Sequence, residues 1–258
     1  MSPPGNGLAL EVVHLKKAFG GLMVTDNVSL AIGPGERRLI IGPNGAGKTT
    51  LFNQISGDLH PNSGRIKLFG EDITSLRPYE RAHRKLSRTY QIITLFPGDT
   101  IEHNVSLSLL GLRPARWHMS RPMSFYRDIA SEARRTLDTV GLLHLANHPI
   151  SDVAYGERRR VELAMALAQK PRVLLLDEPS EGLAPLIVAE VGRTIRRLKK
   201  EGQSIVLVEQ NRQLALEVAD TAVILNTGRC VFEGAASELQ TNEELITQNL
   251  GVYHAHEC

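Results

Sequence analysis

Residues 42–49 read Gly-Pro-Asn-Gly-Ala-Gly-Lys-Thr, which matches the pattern G-x-x-x-x-G-K-[ST] in full. Glycines let the backbone amides of such a loop turn inward around a polyphosphate, and the helix that follows offers its positive end to the same anion. Lys48 can reach β- and γ-phosphates, and the Thr49 hydroxyl can sit on Mg²⁺. Gly42, Pro43, Asn44, Gly45, Ala46, Gly47, Lys48, Thr49 and Thr50 are therefore the candidate nucleotide-binding residues of this segment. A glycine-rich turn could match by accident, but in a chain of this length that happens on the order of 1 % of the time. The apolar triplet Leu39-Ile40-Ile41 before the loop and the helix-forming run after it narrow the odds further. A strand, a tight loop and a helix in that order already demand an α/β sheet with the loop at a strand's carboxyl end.

The rest of the chain supplies such a sheet. Strands are expected over 8–15, 27–32, 37–41 and 64–69, with polar sequence from there to Arg88. From about Thr100 to Val140 the apolar spacing becomes helical, through Ile101, Val105 and Leu109 and then Ile129, Ala133, Leu137 and Val140, which points to a separate helical lobe. A helix follows Gly156 and stops before Pro171. The unrelieved apolar run 173–176 is expected in the buried middle of a parallel sheet. Helix 185–200, strand 204–208, helix 212–218, strand 222–225 and a hairpin through Glu233 continue the alternation.

Asp177 closes the run 173–176 and Glu178 follows it. A carboxylate at the end of a buried strand beside a phosphate loop suits a magnesium ion, and the next one suits an attacking water that must lose a proton.

Composition removes other classes. Thirty Lys plus Arg against 28 Asp plus Glu leave a formal charge of +2 on 258 residues, too even for a dedicated nucleic-acid binder. No apolar run approaches the roughly 18 residues a membrane span needs, and the first residues lack the blocks of a secretory signal. Two cysteines, Cys230 and Cys258, make no disulfide framework, and His254, His256 and Cys258 on the tail are not organised as a metal site. A cytoplasmic chain is expected. No Asn-Lys-x-Asp guanine-reading motif follows the loop.

Taken together, these residues resemble the ATP-binding cassette (ABC) family from about Leu10 to Leu250. The resemblance implies an α/β fold: a P-loop NTPase of the ABC type, with an N-terminal antiparallel β region and an inserted helical subdomain at about 94–170. It implies one domain over 8–251, with tails 1–7 and 252–258. Gln91, in Arg88-Thr89-Tyr90-Gln91, matches the glutamine that touches Mg²⁺ and senses the membrane partner, so the implied metal set is Thr49, Gln91 and Asp177. Phe19 falls where the family stacks an aromatic on adenine. Glu178, Lys48 and Gln210 take the catalytic positions, with Gln210 where most members carry a γ-phosphate-contacting histidine. Ala154, Tyr155, Gly156 and Glu157 occupy the signature loop that faces the nucleotide of a second subunit. ATP and Mg²⁺ are the implied cofactors.

Within the family the chain is similar to ATPase subunits of branched-chain amino-acid importers and their urea and amide relatives. Arg88–Gln91, Leu95-Phe96-Pro97 and Ala154-Tyr155-Gly156 carry one subunit's pattern, and 177–185 with Val208-Glu209-Gln210-Asn211 carry that of its companion. The implied partners are a second ABC ATPase subunit in a homo- or heterodimer, transmembrane permease subunits and, indirectly, a solute-binding protein, with no nucleic acid. The implied place is the cytoplasmic face of the cell membrane. The alternatives are the ATPase of a lipid or lipopolysaccharide exporter, which Glu157–Glu162 also resembles, a soluble non-transport ABC ATPase, or a nucleotide-gated subunit with little hydrolysis.

Departures from the family pattern are concentrated in the signature. Where Leu-Ser-Gly-Gly-Gln is usual, residues 153–157 keep one glycine unchanged; Ala154 offers no hydroxyl and Tyr155 replaces a residue that permits close backbone approach. Ala184 replaces the dimer-contacting aspartate. Residues 77–135 hold eleven Lys/Arg against five Asp/Glu, a surplus of six that would attract anionic lipid if it formed a face.

Overall fold

The computed structural model describes residues 7–90, 95–113 and 125–241. Gln91, residues 114–124 of the helical lobe and the tail with His254, His256 and Cys258 lie outside them.

Three strands open the chain, β1 (Leu10–Phe19), β2 (Leu22–Ile32) and β3 (Arg37–Ile41), and α1 (Lys48–Ser56) follows the glycine-rich loop. Next come β4 (Ser63–Leu68), β5 (Glu71–Asp72), α2 (Pro78–His83) and β6 (Leu86–Arg88). The helical lobe holds α3 (Ile101–Gly111), α4 (Arg127–Thr139) and α5 (Tyr155–Ala168). The second half alternates: β7 (Val173–Asp177), α6 (Pro185–Lys200), β8 (Ser204–Val208), α7 (Arg212–Val218), β9 (Thr221–Asn226), β10 (Arg229–Ala235) and α8 (Ala236–Thr241).

Two sheets result. One is antiparallel in the order β2-β1-β4-β5; the other runs β10-β9-β3-β8-β7-β6, parallel except for its β9–β10 hairpin. Its central strands are buried on both faces, which is why they read as continuous apolar runs. Leu39, Leu174, Leu176, Ile205 and Leu207 face the cluster built with the helical lobe, α6 and α7. The alternate residues Ile40, Val173, Leu175, Val206 and Val208 face a second cluster, in which Leu51, Phe52 and Ile55 of α1 pack between the two sheets. Burying each of those three side chains contributes about 1.5–3 kcal/mol, and together they fix the helix that begins at Lys48. In the lobe, Ile129, Ala133 and Leu137 recur every four residues and form the buried stripe of α4.

Two expectations need correction. The hairpin β1–β2 runs to Phe19 and Leu22, longer than the short strands anticipated, because cross-strand pairs such as Lys17 with Thr25 continue past the apolar section. The polar stretch before Arg88 contains β5, α2 and β6. Its anchor is a polar one that hydrophobic periodicity does not reveal: Arg81 is 1 % exposed, and its guanidinium donates to the carbonyls of Gln54, Ile55, Thr74 and Leu76 at 2.7–3.0 Å. Two of these carbonyls belong to the last turn of α1, where a cation offsets the negative end of the helix. Burial lowers the Arg81 pKa to about 10.

Arg81 also dissolves part of the expected basic face. With Arg88 it is internal, while Arg84 pairs with Glu71, Arg113 with Asp128 and Glu132, and Arg134 with Glu102. Replacing Arg81→Met strands these buried carbonyls, so unfolding in urea is expected to reveal a loss of roughly 2–4 kcal/mol; a midpoint within error of the parent chain would contradict the anchoring role.

Candidate functional site

Strand register sets the site. Asp177 on β7 pairs with Val208 on β8, and Val208 pairs with Ile40 on β3, so the three strands end level with one another. Adjacent strands lie about 4.8 Å apart. The loop after Ile41, the carboxylates at 177–178 and the turn at Gln210 therefore emerge side by side within about 10 Å.

Two glycines of the phosphate loop are dictated by close approach. A Cβ on Gly42 would come 2.0 Å from the Leu225 carbonyl oxygen, and one on Gly47, at φ +99°, would come 2.5 Å from that of Val24. The loop is thus seated between β9 and β2. No side chain caps α1 and no acid occupies its first turn, which leaves its amides available to an anion. Lys48 is 8 % exposed and donates to the Gly42 and Pro43 carbonyls at 2.6 and 3.0 Å, so its ammonium lies over the loop. Burial lowers its pKa, and the charges of Glu178 and Asp177 oppose that shift. Thr49 presents an exposed residue at the same turn.

Glu178 adopts a left-handed backbone, φ +48°, uncommon for a residue with a Cβ, and its N–H donates to the Val208 carbonyl. Such strain persists only where the surroundings hold it, and it collects at functional sites. Its Oε1 accepts from Gln210 Nε2 at 2.6 Å, while its Oε2 is buried with no partner among the described residues. An unpaired carboxylate oxygen costs free energy unless something such as a water meets it. Gln210 is itself exposed.

Asp177, 2 % exposed, meets the Arg88 guanidinium at 2.8 Å through Oδ2. Arg88 also donates to Asn53, Ser56 and Asp58, and lies over the rings of Phe52 and Tyr90. One side chain thus links α1, the end of β7 and the residue before Gln91. The sequence signal for it was present, an arginine in Arg88–Gln91, but nothing in that motif pointed to its partner. The candidate metal donors among the described residues, the Thr49 hydroxyl and the Asp177 carboxylate, are hard oxygens and few, which fits Mg²⁺, an ion that keeps several waters.

Not every candidate joins this cluster. Phe19 lies at the end of the β1–β2 hairpin, 51 % exposed, with Lys17 Nζ 5.5 Å from its ring centre. Ala154–Glu157 form the start of α5 and face the loop after Glu178. The Tyr155 ring packs on Gly182, and its hydroxyl accepts from Arg159 Nε. The Glu157 carboxylate accepts the Ala154 N–H and caps the helix. Arg159 also donates to the Tyr90 carbonyl, tying this helix to the lead-in of Gln91. Glu209, absent from the sequence-derived set, is 3 % exposed and accepts N–H groups from both neighbouring loops. Burial pushes its carboxyl upward, against the pull of the Asn211 N–H, the Ser180 hydroxyl and the Gln210 and Ser180 N–H groups.

The family model described as ABC transporter matches residues 25–181. The high-affinity branched-chain amino acid transport ATP-binding protein BraF of Pseudomonas aeruginosa is 33 % identical over 254 residues, covering 94 % of this chain and 97 % of its own. The protein LivG of Escherichia coli, which carries the same description, is 33 % identical over 248 residues with the same coverage. Among solved structures, the ADP conformation of an ATP-binding cassette of an ABC transporter superposes with TM-score 0.80 at 26 % identity, covering 93 % of this chain and 98 % of that one.

The Arg88–Asp177 pair has a direct test. Arg88→Met leaves a buried carboxylate uncompensated and is expected to cost about 3–5 kcal/mol of stability by chemical denaturation. Arg88→Lys, which keeps the charge without the fork, should cost less. Equal stability of all three proteins would show that Asp177 does not depend on this arginine.

Proposed function

The chain belongs to the ABC transporter family, and we propose that it is the ATP-hydrolysing subunit of an importer for branched-chain amino acids or a related amide. The observation that carries the hydrolytic part is Glu178: a strained, buried carboxylate with one oxygen held by Gln210 and the other unpartnered among the described residues, one residue beyond Asp177 and level with the phosphate loop. The names of the two similar proteins support the solute class.

In this reading the loop amides of 42–49, the N-terminus of α1 and the Lys48 ammonium bind the polyphosphate and stabilise charge that develops on the γ-phosphoryl group. Glu178 Oε2 orients the attacking water and receives its proton as the water oxygen bonds to phosphorus in line with the departing ADP oxygen. Gln210 holds Glu178 and hydrogen-bonds the γ-phosphate; an amide can do so without bringing a positive charge. Thr49, Asp177 and Gln91 hold Mg²⁺, which when bound neutralises phosphate charge. Phe19 covers the adenine.

Residues 154–157 would face the nucleotide of a second ATPase subunit. Ala154 supplies no hydroxyl there, so in a heterodimer this chain's own site would be the more active and its partner's the weaker. Among the described residues no helix is long and apolar enough to cross a membrane, in keeping with a subunit at the cytoplasmic face that works through separate permeases.

Two measurements test this. Glu178→Gln should lower ATP turnover of the purified assembly by about 10²–10⁴-fold while ATP still binds; unchanged turnover would remove Glu178 from the chemistry. Proteins that co-purify from detergent-solubilised membranes should include two permeases, a second cassette and a solute-binding protein, whereas ribosomal proteins would overturn the importer assignment.

A further inference from the structure

Glu209 is a buried charge that the hydrolytic scheme does not use. It sits between β8 and Gln210, 3 % exposed, and no side-chain cation is hydrogen-bonded to it among the described residues. Its Oε1 accepts the N–H groups of Gln210 and Asn211 at 2.8 and 2.9 Å, and its Oε2 accepts the N–H of Ser180 at 3.3 Å. Ser180 lies two residues after Glu178, and the Asn211 side chain in turn caps α7 through the Leu214 N–H. One carboxylate therefore clamps both loops that flank the Glu178–Gln210 contact. Burying an anion in this way is costly unless several donors meet it, and here backbone N–H groups of both loops meet it together with the Ser180 hydroxyl.

We propose that Glu209 is a positioning residue for ATP hydrolysis: by holding the Gln210 turn against the loop after Glu178, it keeps the Gln210 amide on Glu178 Oε1 and leaves Oε2 facing the water. The inference rests on the hydrolytic reading given above. It touches neither nucleotide nor water, so its removal should slow the chemical step and leave ATP binding alone. Glutamine at 209 keeps the volume and can still accept from Gln210 and Asn211, but its NH₂ group would then oppose the Ser180 N–H, donor against donor.

The test is a double-mutant cycle on the purified transporter assembly, with kcat, KM for ATP, binding of a fluorescent ATP analogue and thermal midpoint measured for each protein. Glu209→Gln is expected to lower kcat 10- to 100-fold with KM and analogue binding within twofold. Gln210→Ala should lower kcat to a similar extent, and the double variant should be no slower than Gln210→Ala alone. If Glu209→Gln does not fold, Glu209→Asp, which keeps the charge but withdraws it by one methylene, serves in the same cycle. A normal kcat in the Glu209 variant beside a slow Gln210→Ala would overturn the inference alone, as would losses that multiply in the double variant. Normal turnover in Gln210→Ala would overturn the hydrolytic reading of that side chain and this inference with it.

Discussion

The level ending of β3, β8 and β7 is the constraint on which the rest depends. Hydrogen bonds place Ile40, Val208 and Asp177 in one row across the sheet, and three short loops leave from that row. A one-residue slip of β7 would turn Asp177 to the opposite face and carry Glu178 out of reach of Gln210. The two apolar clusters prevent that slip. Alternate residues of each central strand are committed to opposite clusters, so register and site geometry are fixed by the same packing.

Much of this was legible in the sequence because its causes are local. The phosphate loop is a short pattern whose glycines are required by contacts with Leu225 and Val24. The run 173–176 reads as a doubly buried strand because it is one. What escaped is held by polar contacts between residues distant in the chain. Arg81 looks like one charge in a polar stretch, yet its acceptors are carbonyls on α1 and the β5–α2 connection. Glu209 looks like an ordinary acid after a strand, and only Ser180, 29 residues earlier, shows that it joins two loops. Periodicity records which side chains are apolar, and it has no term for a guanidinium or carboxylate spent on backbone groups.

The departures from the family pattern acquire a physical setting. Ala154 cannot cap α5 with a side-chain oxygen, and Glu157 caps it by accepting the Ala154 N–H. Tyr155 is braced by Gly182 and Arg159, so the loop that would meet a second subunit is tied to the loop that follows the proposed base. Arg159 and Arg88 both reach the Tyr90 neighbourhood, one through its carbonyl and the other over its ring. The segment that leads to Gln91 is thereby linked to the helical lobe, to α1 and to Asp177.

The central claim is that one nucleotide engages all three loops leaving this row of strands. Amide hydrogen exchange, compared with and without Mg-ATP in the Glu178→Gln protein, tests it most directly. The account predicts slowed exchange in 42–50, 178–181 and 209–211 together, with the outer strands β5 and β10 unchanged. Slowing confined to 42–50, or none at 178–181 and 209–211, would contradict it.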